Sequence, residues 1–452
     1  MKNNQITYLR LLFIHAALGV IIFLFPFLAK IYTILILLAG ITWMLKSKNE
    51  NNEALFISAY IVGVEVFLRM TDGNPIHELS KYLVIFFLIF GMLYKGFSRN
   101  SFIYIVFLLL LLPGIIIGAN ALSFDTNVRK AIAFNISGPV CLAISALYCY
   151  QRVVNKEDLK RILIFLGLPI LSMSIYLFLY NPSVKDVVTG TQSNFETSGG
   201  FGPNQVSTIL GLGMFAFFAL FFVYSNTKRL IVVNLVITIL MAYRGIVTFS
   251  RGGVITGLVM IVSLVVVIYL VSSKKVRAKI LTLSMFLVLG GGLLWSYTIY
   301  TTNGMIEYRY ANKDARGREK ADRLGGREAI ADTEIKAFME NPIFGLGVGK
   351  NKEYREELTG LKVSNHNEIT RMLADHGSLG ILGLIILFVT PLFLYLANKQ
   401  HLFLLSFFVF WLLTINHAAM RTAAPAFIYA LSLLKVKFVD DETSVVHREP
   451  TV

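Results

Sequence analysis

His366-Asn367, nine further residues and then Gly377-x-x-Gly380 form the pattern with the most chemical content in this chain. An imidazole titrates near neutrality, so it can take the proton from a hydroxyl whose oxygen attacks an electrophile. Asn365, with Glu368 three residues on, reads as a capping-box-like pair and predicts His366 in the first turn of a helix. The positive helix end favours the neutral ring, the form a general base needs. Taken alone, a histidine at a loop–helix junction is an ordinary surface residue. The setting favours chemistry here: a long polar stretch precedes it, an apolar helix follows, and the pair Gly377 and Gly380 lets helices approach closely.

Arginines supply the complementary chemistry. Arg251 stands in Ser250-Arg251-Gly252-Gly253, a tight turn between two apolar runs, and a guanidinium grips phosphate oxygens bidentately without losing its charge. Arg244 is seven residues earlier, on the same helix face and about two turns deeper. An arginine at that depth either pairs with an acid, for which Glu65 in the third apolar run is the candidate, or meets substrate in a cavity. Arg327, in Gly325-Gly326-Arg327-Glu328, makes an anion site at a helix start or a solvated charge. Arg129 opens another apolar run and either snorkels or binds phosphate. His417 and Arg421 form a second, less supported cluster.

Other features carry less. Gly345-Leu346-Gly347-Val348-Gly349 lacks the order of a nucleotide-binding loop and reads as a turn, and His376 points down a packed helix. Cys141 and Cys149 lie in one apolar run, which excludes a disulfide framework. No grouping has metal-ligand spacing, so neither a metal nor another cofactor is expected.

The elements that must hold these residues are membrane helices. Hydrophobic residues make up 56% of 452, and mean hydropathy is +0.66, outside the soluble globular range. Apolar runs predict an all-α, polytopic integral membrane protein with roughly fourteen spans, or twelve to thirteen if the short ones fail. The first run, after Lys2 and Arg10, reads as a span rather than a signal peptide, because no small-residue cleavage site follows. The net charge of +15 is spread over alternate short loops, which argues for a bilayer and against nucleic acid. That distribution puts both termini in the cytoplasm and two polar segments, about 181–203 and 301–365, on the outer face. The longer one holds twelve Lys plus Arg against eleven Asp plus Glu. Within it an amphipathic helix is expected, with Ile330, Ile335, Phe338 and Met339 as its apolar stripe. The organisation is then a scaffold of spans over 1–180, spans with an outer loop over 181–300, the large outer loop over 301–369, C-terminal spans over 370–438 and a cytoplasmic tail over 439–452.

His366-Asn367-x9-Gly377-x-x-Gly380 after a long outer loop resembles the signature of the O-antigen ligase family, whose superfamily also contains Wzy-type polysaccharide polymerases. Ser250-Arg251-Gly252, Phe201-Gly202-Pro203-Asn204, and Arg327 upstream of Asn341-Pro342-x-x-Gly345-x-Gly347 are similar to its pattern over about 195–385. The resemblance implies a GT-C-like fold in the bacterial inner membrane, with the active site and the long loop facing the periplasm. It implies metal-independent, inverting transfer of a glycan from undecaprenyl diphosphate to a hydroxyl of lipid A-core or, for a polymerase, of a growing glycan. A flippase or transporter is the more distant alternative, disfavoured because the polar motifs sit at the outer face and no inverted repeat is evident.

Overall fold

The computed structural model describes residues 2–320, 327–360, 363 and 365–437. Gly325-Gly326 and the tail expected over 439–452 lie outside the described residues. The chain opens with α1 (Lys2–Leu24), α2 (Leu28–Ser47), α3 (Glu53–Met70), α4 (Leu79–Lys95), α5 (Ile103–Ala121) and α6 (Val128–Cys149). A short strand, β1 (Val153–Asn155), leads into α7 (Lys156–Tyr180). Then follow α8 (Val184–Val187), α9 (Pro203–Ala219), α10 (Lys228–Ile246), α11 (Arg251–Val271) and α12 (Lys274–Thr301). The long polar segment contains α13 (Met305–Tyr310), α14 (Arg327–Glu340) and α15 (Asn351–Thr359). Last come α16 (Glu368–Ala397), α17 (Leu404–His417), α18 (Ala424–Leu431) and β2 (Lys435–Lys437).

The protein is an all-α polytopic membrane protein: among the described residues, ten helices are long and apolar enough to cross a bilayer. α3 is nearly all buried and carries Glu53, Glu65 and Arg69 inside the bundle. The span expected over 419–436 is not a continuous helix. α18 has eight residues, a rise of about 12 Å, and irregular backbone precedes it. This stretch is covered by protein on all sides, which is where non-helical backbone is tolerated at membrane depth. The Ala423 N–H donates to Glu65 Oε2 at 2.7 Å, so a carboxylate from α3 caps the broken segment.

Two contacts fix the ends of the bundle. Ser123 and Thr126, just before α6, hydrogen-bond Glu353 of α15. At the other end of α6, β1 pairs in parallel with β2. The polar loop and the strand pair therefore mark opposite ends. α9 and α11 meet through glycines: a Cβ on Gly211 would lie 2.1 Å from Gly253 O, so neither helix tolerates a larger residue there. That contact lets the Ser250 hydroxyl donate to Asn204 Oδ1 at 2.7 Å and the Ser207 hydroxyl donate to Ser250 O at 2.7 Å, fixing the turn that presents Arg251.

Candidate active site

The cap of α16 lies two residues later than the sequence pattern suggests. Asn367 Oδ1 accepts from the N–H groups of Ile369 (2.9 Å) and Thr370 (3.4 Å), so Asn367 is the N-cap and His366 stands just ahead of the helix. Glu368 does not reach back to Asn365; it pairs with Arg371. Asn365 instead ties the strand of loop before His366 to α14, donating to Glu334 Oε2 at 2.5 Å, and its carbonyl accepts from Arg421. Glu334, 1% exposed, also accepts from Thr370 (2.6 Å) and Arg355 (2.8 Å). Burial raises its pKa, and these donors oppose the rise. α14 is therefore turned only partly onto its expected stripe: Thr333, Glu334 and Ala337 are buried and Ile330 and Phe338 half-buried, while Ile335 and Met339 are exposed.

The glycine pair makes a bend within one element rather than a contact between two helices. Gly377 has φ 59° and ψ −140°, and breaks α16 into a short arm and a long apolar helix. A Cβ there would lie 2.6 Å from the Ile343 carbonyl carbon. At Gly380 a Cβ would lie 2.1 Å from Met372 O, so the arm folds back onto the long helix. The Ser378 N–H donates to Pro342 O and the Leu346 N–H to Ala374 O, both at 2.8 Å, which docks the Asn341–Gly349 turns into the bend. Gly345, Gly347 and Gly349 all have positive φ, and the Val348 N–H reaches Gly114 O of α5 at 2.8 Å. His376 is fully buried against Gly114.

The charges that shift His366 are of one sign. Burial first, then the charges of Arg421 and Arg327 and the proximity of His417, hold the His366 imidazole down to about 4. Burial together with the Arg251 charge also lowers Arg327. Arg309 is lowered by burial and by both Arg251 and Arg327. Arg251 donates to Arg309 O at 3.4 Å, and Arg309 donates to Phe249 O at 2.9 Å and Ser193 Oγ at 3.4 Å. Arg421 lies 4.3 Å over the Phe134 ring. The His417 ring packs on Gly252, where a Cβ would lie 2.5 Å from it. Among the described residues, Arg251, Arg309, Arg327 and Arg421 form no ion pair with Asp or Glu. Half-buried like charges held together in this way are an arrangement that an anion would satisfy. Among the described residues, no group of three His, Cys, Asp or Glu is placed to hold a metal.

The other sequence candidates take different places. Arg244, 1% exposed, donates to Thr197 O (2.9 Å) and Asn181 O (3.4 Å) and lies over Phe178, so it ties down the 181–203 segment. It does not pair with Glu65, whose Oε1 meets Arg69 of the same helix at 2.6 Å; a partner one turn away costs less chain entropy than one across the bundle. Arg129 is exposed and lines a groove of about 380 Å³ with Tyr82, Ile85 and Ile136. Sequence reasoning missed Arg309, which sits in Tyr308-Arg309-Tyr310 with no motif spacing to mark it.

Fold and site together define a polytopic membrane protein with a histidine set among arginines that have no acidic partner among the described residues, at the loop end of its bundle. Residues 236–388 match the family model described as O-antigen ligase. The match includes Arg251, Arg309, Arg327, His366, Gly377 and Gly380, and stops before His417 and Arg421. No curated protein matches the chain.

Proposed function

We propose that the protein is a membrane glycosyltransferase of the O-antigen ligase type, moving a glycan from undecaprenyl diphosphate to a hydroxyl of lipid A-core. The observation that carries this reading is the place of His366, just ahead of α16 and beside a group of four arginines, Arg251, Arg309, Arg327 and Arg421, that have no carboxylate partner among the described residues. His366 takes the proton of the acceptor hydroxyl, and the oxygen attacks the anomeric carbon as its bond to the diphosphate breaks. Fixed guanidinium charge meets the negative charge that develops on the leaving group. Arg251, Arg309 and Arg327 are the donor ligands; Arg421 holds Asn365 and faces His366. Base and donor are coupled electrostatically. The arginines weaken the base in the empty site, and an incoming diphosphate offsets them, so the imidazole gains basicity as the donor seats.

Both substrate side and orientation follow from the same reading: the loop end faces the periplasm, where the lipid-linked glycan is presented, and both termini face the cytoplasm. The test is incubation of purified protein with undecaprenyl-diphosphate glycan, with and without lipid A-core. Transfer of the glycan to lipid A-core supports a ligase. Glycan lengthening without that acceptor replaces it with a polymerase, and no transfer in either arm removes the enzyme reading.

A further inference from the structure

At the strand end of the bundle, opposite His366, lies a cavity of about 780 Å³ that the proposed transfer does not use. Its walls come from the terminal turns of four candidate spans: Tyr8 near the start of α1, Glu157, Lys160 and Arg161 at the start of α7, Tyr224 after α9, and Asn234 on α10. A cavity built from span ends sits at headgroup depth.

Local structure explains why it is open. After α9 the chain continues as a π turn, Leu220–Tyr224, which widens the helix. The Ser225 hydroxyl donates to Leu220 O at 2.9 Å and satisfies a carbonyl at that irregular end. Asn234, 2% exposed, forms a rigid floor: its Oδ1 accepts from Tyr8 at 2.6 Å and its Nδ2 donates to Ser225 at 3.0 Å. Two groups are left over. The Tyr224 hydroxyl is buried, on a residue 7% exposed, and has no hydrogen-bond partner among the described residues. Arg161 is exposed and, among the described residues, makes only a ring contact with Phe56, whereas Glu157 is taken by Lys160 at 3.1 Å. Lys156, Lys228 and Arg229 add positive charge at the same helix starts.

We propose that this cavity binds an anionic glycerophospholipid of the bilayer. Its phosphate meets Arg161 and the Lys160 side of the rim, a headgroup or glycerol oxygen accepts from the Tyr224 hydroxyl, and the acyl chains leave along α1 and α7. A buried hydroxyl lacking an acceptor and an unpaired arginine at one apolar-walled cavity call for a ligand with both an oxygen-rich head and a greasy tail.

The test titrates delipidated full-length protein in neutral detergent micelles with phosphatidylglycerol, phosphatidylcholine or inorganic phosphate while thermal unfolding is followed. Only phosphatidylglycerol should raise Tm. Arg161→Glu should weaken its apparent affinity by roughly thirtyfold, about twice the free energy of one basic contact at a membrane surface. Tyr224→Phe, which keeps the ring, should weaken it several-fold. Lys275→Glu, the same charge change on an exposed residue at the same end, should leave it unaltered. Equal stabilisation by phosphatidylcholine or by phosphate overturns the proposal. So does unchanged affinity in either cavity variant, or an equal loss in Lys275→Glu. Should Arg161→Glu fail to fold, Arg161→Gln takes its place with the same expected direction.

Discussion

At His366, basicity and donor binding are tied together by charge. Burial and the nearby arginines hold the free imidazole down to about 4. A base works only when unprotonated, so kcat/KM, which reports the free enzyme, should stay level as pH falls from 7 and decline only near pH 4–5. The acidic limb of kcat, which reports the donor complex, should lie higher, because bound diphosphate stabilises the imidazolium. Coincident limbs in kcat and kcat/KM would contradict that coupling. His366→Ala should lower turnover by about two to four orders of magnitude with donor binding largely kept. Arg309→Ala should damage transfer as Arg251→Ala does, each losing roughly 2–4 kcal/mol of transition-state stabilisation. Arg251→Lys should also be impaired, since a point charge cannot replace a bidentate fork. Steady-state kinetics on folded variants decides both.

The bend in α16 and the buried Glu334 are what aim the histidine. Gly377→Ala forces a Cβ against the Ile343 carbonyl at a φ that alanine avoids. It should cost at least about 1–3 kcal/mol and displace the docked Asn341–Gly349 turns. The expected outcome is a lowered Tm with loss of turnover, and unchanged unfolding would show that the bend is not needed. Glu334→Ala strands Arg355 inside the loop, a loss of about 3–5 kcal/mol for a broken buried pair. Because Glu334 holds Asn365 and Thr370 on either side of His366, that variant should also weaken transfer.

Over the whole molecule the polar loop and the strand pair mark opposite ends, and the proposed orientation places the loop outside. Cys141 and Cys149 are buried and give no labelling background. In intact cells Arg316→Cys should react with a membrane-impermeant thiol reagent, while Lys275→Cys, at the far end of α12, should not. The reverse pattern would invert the topology. Glu65 joins α3 to the segment before α18 across most of the chain. Glu65→Ala should destabilise the bundle by about 3–5 kcal/mol, because it strips Arg69 of its carboxylate and the Ala423 N–H of its acceptor at depth; thermal unfolding in detergent measures it.

The sequence alone determined the class of molecule, because a bilayer demands long apolar helices and these are written locally as uninterrupted runs. It also singled out His366, Arg251 and Arg327, each marked by a neighbouring turn or glycine. What it could not determine was anything set by partners distant along the chain. The α16 cap fell to Asn367 rather than Asn365 because Glu334, thirty-one residues upstream, claims the Asn365 amide. Glu65 chose Arg69 and the Ala423 N–H over Arg244, α14 turned its carboxylate inward, and the last expected span is broken by irregular backbone ahead of α18, where Glu65 caps it. Arg309 and Arg421 joined the site only through tertiary packing. In each case a buried charge had to find its counterpart, and that search is settled by three-dimensional proximity, which a one-dimensional pattern does not encode.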